Sequence, residues 1–168
     1  MAIDRTELQI TLSDGRALGY AEYGDPQGKP VFYFHGFPSS RLDWLLSDSN
    51  NVAAELNTRI IAVDRPGMGL SDPKPDREML DWPDDVAELA DAFKINRFAV
   101  LGMSGGGPYA AACAYKIPER LTATGIVSGM GPADAPGAKD GLSWTWPGKP
   151  QFIRWLIFPC PITILGIS

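Results

Sequence analysis

Ser104 stands at the centre of Gly102-Met103-Ser104-Gly105-Gly106, a G-x-S-x-G run in which a strand turns sharply into a helix and exposes the serine hydroxyl at the tip. Such a hydroxyl is a weak nucleophile until a base takes its proton. In this motif the partners follow in the order Ser, then Asp or Glu, then His. The 168 residues contain one histidine, His35, and it lies well upstream of Ser104. The chain therefore presents a nucleophile suited to acyl transfer without a histidine after it.

A second run bears on the same chemistry. His35-Gly36-Phe37-Pro38 follows the apolar stretch Val31 to Phe34, and Gly36 lets the chain turn so that a backbone N–H, that of Phe37, faces the serine. With the N–H of Gly105 it would form an oxyanion hole, whose donors meet charge that appears only in the transition state. Gly102 and Gly106 allow the close backbone approach that the turn needs. For His35 two readings stand: an imidazole bracing this loop through hydrogen bonds, or an unusual general base. The third run is Asp64-Arg65-Pro66-Gly67-Met68-Gly69-Leu70-Ser71-Asp72. Asp64, Ser71 and Asp72 are expected to bond to turn backbone, with Gly67 and Gly69 meeting its conformational demands. Asp134 and Asp140 lie in a Pro/Gly-rich stretch and are expected to face solvent.

These runs need a scaffold, and the flanking pattern describes one. Glu7 to Leu12 and Ala17 to Tyr23 read as strands around Ser13-Asp14-Gly15-Arg16, whose Asp-Gly pair signals a hairpin. Val31 to Phe34, Arg59 to Val63, Phe98 to Met103 and Leu121 to Ser128 read as buried strands. Between them, Pro83 to Lys94 reads as a helix with Val86, Leu89, Ala90 and Phe93 on one face, and Gly106 to Lys116 as an alanine-rich helix suited to close packing. Alternating strands and helices predict an α/β fold: a mostly parallel sheet with helices on both faces, opened by an antiparallel N-terminal hairpin.

From Gly129 onward prolines and glycines interrupt the pattern, and Phe152 to Ile167 is almost wholly apolar, with Arg154 its only charge. Pro159, Pro161 and the shortness of this run argue against a membrane-spanning helix, which needs roughly 20 apolar residues. A cap helix packed over the sheet is the expectation, with an interfacial membrane segment as the alternative.

Composition narrows the classes further. With 45% hydrophobic and 21% charged residues, the chain suits one folded domain with a sizeable core. Its 15 Lys and Arg against 20 Asp and Glu form no basic run, which argues against a nucleic-acid partner. Asp4, Arg5 and Glu7 stand where a signal peptide would be apolar, so the expected location is the cytoplasm. Cys113 and Cys160 are expected as free thiols without catalytic roles. No metal or cofactor is implied.

Taken together, the three motifs resemble the α/β-hydrolase fold family in its serine-nucleophile branch, over about Leu8 to Pro132. His35-Gly36-Phe37-Pro38 looks like the family's oxyanion loop, Asp64 to Ser71 like the turn after its fourth strand, and Gly102 to Gly106 like its nucleophile elbow. The resemblance implies that Ser104 attacks an acyl carbon of a small-molecule ester, thioester, amide or peptide, with Phe37 and Gly105 holding the oxyanion. The family places its acid and histidine on later loops, which implies a C-terminally incomplete fold: 1–131 as the N-terminal part of the core and 132–168 as the start of a cap. The chain alone is then expected to be inactive or very weak, and to self-associate or pair with a C-terminal half through 152–167. The alternative is a catalytically silent hydrolase-like binding module.

Overall fold

The computed structural model describes residues 5–46, 49–131 and 136, and the backbone of 163–166. Among the described residues seven strands form one sheet: β1 (Leu8–Thr11), β2 (Ala17–Gly24), β3 (Lys29–Phe34), β4 (Thr58–Val63), β5 (Phe98–Met103), β6 (Leu121–Val127) and β7 (Thr163–Gly166), in the spatial order β1-β2-β4-β3-β5-β6-β7. The helices are α1 (Ser49–Glu55), α2 (Trp82–Ala92) and α3 (Gly107–Lys116). The central strands β4, β3, β5 and β6 run parallel, while β1, β2 and β7 are antiparallel to their neighbours.

The opening hairpin closes through residues 12–16, where Gly15 takes φ +88° and the Asp14 carboxylate accepts the Arg16 N–H at 3.1 Å. The side chain thus mimics a turn, and glycine supplies the left-handed conformation.

Alternation along the central strands divides their side chains between two faces. Phe32, Phe34, Ile61, Val63, Phe98 and Val100 join one core with Val86, Leu89 and Ala90 of α2 and Tyr109, Ala110 and Cys113 of α3. Tyr33, Ile60 and Ala62 join another with Ala53 of α1, against which Trp44 packs. Both faces are covered, so these strands read as unbroken apolar runs. A chain of edge-to-face rings, Phe34 to Trp82 at 5.2 Å and Trp82 to Tyr109 at 5.6 Å between centroids, ties β3 to both α2 and α3. Each such ring pair contributes about 1 kcal/mol beyond its buried area.

Helix α2 begins one residue before the expected Pro83, which occupies the first turn with Asp84 and Asp85. It stops at Ala92, and Lys94 lies beyond it at φ +57°. Expected helix Gly106–Lys116 instead begins at Gly107, after a short 3-10 turn over Ser104–Gly106.

The expected cap, 132–168, lies outside the described residues apart from Pro136 and Thr163–Gly166. Those last four fall within the run read as a cap helix, and they form an edge strand instead, with Ile126 opposite Thr163 and Ala123 opposite Gly166. Pro161 disfavours helix just before them, and the open edge of β6 offers backbone partners.

Candidate active site

The site is placed by topology. From β3 the chain crosses to β4 on one side of it, whereas from β5 it crosses to β6 on the other. The loops leaving the carboxyl ends of β3 and β5 therefore diverge and leave a crevice between them, the position where open α/β sheets bind ligands. The loop after β3 carries Gly36 and Phe37, and the loop after β5 carries Ser104 and Gly105.

Register then brings these loops together. Phe34 pairs with Gly102, so two residues further on Gly36 stands beside Ser104. A Cβ added to Gly36 would lie 3.4 Å from Ser104 Cβ and 3.9 Å from its Oγ. A Cβ added to Gly105 would lie 3.4 Å from the Phe37 nitrogen. Among the described residues, none accepts a hydrogen bond from the Phe37 N–H, and the Phe37–Pro38 peptide is cis.

Ser104 has φ +49°, a left-handed conformation that costs a non-glycine residue about 1–3 kcal/mol and is held only where the surroundings impose it. The surroundings here are specific. Gly102 could not carry a Cβ, which would come 2.4 Å from the Gly106 carbonyl oxygen, and one on Gly106 would come 2.0 Å from that of Phe34. Both glycines let the chain double back sharply. The Ser104 carbonyl accepts the Gly107 N–H and, at 3.1 Å, the Met130 N–H, which ties the loop after β6 to the turn. Ser104 is half-buried, and α3 begins directly after the turn it heads.

His35 is wholly buried. Its Nδ1–H donates to the Gly36 carbonyl at 2.8 Å and its Nε2 accepts the Arg65 N–H at 3.2 Å, a pattern that assigns the tautomer. Burial, with the Arg65 charge second, pushes its pKa down to about 4. Of the two readings of His35, this bonding favours the brace: both ring nitrogens are engaged and neither is free to take a proton from Ser104.

Asp64 is also wholly buried. It accepts hydrogen bonds from the Arg41 N–H at 2.6 Å, Arg41 Nη1 at 2.9 Å and the Leu70 N–H at 2.8 Å. Ser71 Oγ donates to the Asp64 carbonyl at 2.8 Å, and Asp72 accepts the Ala17 N–H at 2.8 Å. Gly67 and Gly69 take φ +79° and +53°. Asp64 and Ser71 thus bond to turn backbone as expected, but Asp72 bonds to β2 instead, and two of the three donors to Asp64 come from Arg41. Asp134 and Asp140 lie outside the described residues.

Arg65 is the residue that sequence reasoning passed over. Its Nη2 donates to the Gly36 carbonyl at 2.6 Å, its Nη1 to the Gly105 carbonyl at 3.2 Å, and its guanidinium lies 5.0 Å from the centre of the Tyr109 ring. Burial pulls its pKa below the ordinary arginine value. The one sequence signal was position: an arginine directly after a buried strand and an aspartate, where a turn would ordinarily be solvated.

A model of the alpha/beta hydrolase family matches residues 31–163. The chain is 35% identical over 127 residues to the non-heme chloroperoxidase of Streptomyces lividans, covering 73% of this chain and 45% of that protein. It is 31% identical over 116 residues to the proline iminopeptidase of Xylella fastidiosa, covering 67% and 36%. A hydrolase structure from Pseudomonas aeruginosa superposes with a TM-score of 0.65 at 25% identity, covering 76% of this chain and 48% of that one. The chain spans less than half the length of each of these proteins.

Proposed function

This chain belongs to the alpha/beta hydrolase family, and on that premise we propose that it carries the nucleophile and the oxyanion donors of a serine hydrolase. Ser104 Oγ attacks the acyl carbon of a small-molecule ester, thioester, amide or peptide, its proton passes to a base, and the carbonyl oxygen takes up the negative charge. The Phe37 and Gly105 N–H groups bind that charge. Collapse of the intermediate expels the leaving alcohol, thiol or amine with a proton, and leaves Ser104 acylated for attack by water. The observation that carries this reading is the positive φ of Ser104 at the end of β5, beside the loop of Phe37.

His35 braces the oxyanion loop, so among the described residues no histidine is free to serve as the base. Without such a base turnover is slow: a site lacking a triad member retains roughly 10³–10⁴-fold over water. The engagement of both His35 nitrogens also favours a second reading, a hydrolase-like module that binds ligands without turnover.

Exogenous imidazole can stand in for the missing base. The purified chain is incubated with p-nitrophenyl acetate and imidazole, and its intact mass is followed together with p-nitrophenol release. An acetyl adduct mapped to Ser104, lost in Ser104→Ala, is the expected result. Release equal in both proteins, with no adduct, would reject the acyl-enzyme and leave the binding module.

A further inference from the structure

Burying a guanidinium is unfavourable unless its donors are matched. Arg65 is only 4% exposed, and among the described residues its Nε has no partner. Its two terminal nitrogens reach backbone carbonyls, at Gly36 and Gly105, rather than a carboxylate. A tie between two loops could be made by a neutral side chain, so the charge calls for an explanation.

The identity of the carbonyl offers one. The Gly36 oxygen and the Phe37 N–H are the two ends of a single peptide group. That oxygen receives two donors, Arg65 Nη2 at 2.6 Å and His35 Nδ1–H at 2.8 Å. Bonding at a peptide oxygen draws electron density from its nitrogen and makes the N–H a stronger donor, an effect of about 10–30% per bond. It is largest where the donor is charged and the surroundings are dry. The Ser104–Gly105 peptide is loaded in the same sense, its oxygen accepting the Gly107 and Met130 N–H groups, but by neutral donors only.

Building on the oxyanion reading above, we propose that Arg65 is a positioning residue that polarises the Gly36–Phe37 peptide from its carbonyl side and strengthens the Phe37 N–H as an anion donor. His35 is the neutral second donor on the same oxygen. Arg65 acts through the peptide and does not touch the substrate.

The test compares amide resonances of the ¹⁵N-labelled chain with those of Arg65→Met and Arg65→Lys. Loss of the guanidinium should move the Phe37 ¹H and ¹⁵N signals upfield, toward a weaker donor. The Gly105 N–H, which shares its peptide with the Ser104 oxygen rather than with the Gly105 carbonyl that Arg65 Nη1 contacts, should move less. In Arg65→Lys, which retains the charge and one donor, Phe37 should fall between the two; if Arg65→Met does not fold, this variant carries the comparison. Unchanged Phe37 shifts, or Phe37 and Gly105 moving together, would show a merely structural tie and overturn the proposal. The imidazole-assisted acetylation of Ser104 should fall roughly 10-fold in Arg65→Lys at unchanged half-saturation; an equal rate in variant and wild type overturns it as well. A wild-type chain that shows the Phe37 effect without any Ser104 acetylation would sink the acyl-enzyme reading and leave the polarised peptide standing.

Discussion

Arg41 and Asp64 form an ion pair with 2.9 Å between Nη1 and Oδ2, and the carboxylate is fully enclosed. Removing one member of a buried pair leaves an uncompensated charge, at a typical cost of 3–5 kcal/mol. Asp64→Ala should therefore lower the unfolding free energy by about 3–5 kcal/mol, whereas Asp72→Ala, which loses one exposed cap on the Ala17 N–H, should cost about 1 kcal/mol. Urea unfolding of the two variants checks this. Equal midpoints would contradict the buried pair.

His35 links stability to pH. Its folded pKa of about 4 lies below its ordinary 6.5, so between these values the unfolded chain binds the extra proton and stability rises with pH. The contribution is fully present above about pH 6.5 and is lost as pH falls toward 4, up to about 3 kcal/mol in all. Urea unfolding across this range should show the slope. Its persistence in His35→Gln would assign the slope to other groups.

The strain at Ser104 should be recoverable. Ser104→Gly permits φ +49° without a Cβ and is expected to raise stability by ~1 kcal/mol, after the entropy cost of glycine is deducted. Gly106→Ala should do the opposite, by about 3 kcal/mol or more, because its Cβ meets the Phe34 carbonyl. Calorimetric melting temperatures that move in the same direction for both would refute this account of the turn.

Cys113 is fully buried on α3, in the core that also holds Val86, Leu89 and Ala110, and burial pushes its thiol pKa far up. Since the thiolate is the reactive form, iodoacetamide at pH 8 should leave Cys113 unmodified in the folded chain and label it after urea. Peptide mapping reads this site alone. Rapid native labelling of the Cys113 peptide would mean that the helix opens readily.

The strands, two of the helices and the turn at Ser104 were legible in the sequence because their signals are local. An apolar run bounded by glycine, proline or charge describes a buried strand wherever it sits, and Gly102 to Gly106 is punctuated for a sharp turn. The bonds of Asp64 to the Leu70 N–H and of Ser71 to the Asp64 carbonyl were legible for the same reason, since both close within the turn, whereas the Arg41 donors to Asp64 and the Gly19 N–H on Ser71 come from distant segments. Thr163–Gly166 was read otherwise, because its state depends on pairing with β6, a strand far away in the sequence.

What the sequence determined by itself is thus the order of elements, the serine at the mouth of β5, and the fact that its only histidine precedes that serine. What the tertiary structure decided is the use made of His35 and Arg65. Pairing of Phe34 with Gly102 sets Gly36 beside Ser104, and the strand order sets the loop of Arg65 against both. Only then do an imidazole and a guanidinium converge on one peptide oxygen. That meeting comes from the register of three strands whose loops are brought together by folding, and no local pattern of residues encodes a distance between segments so far apart along the chain.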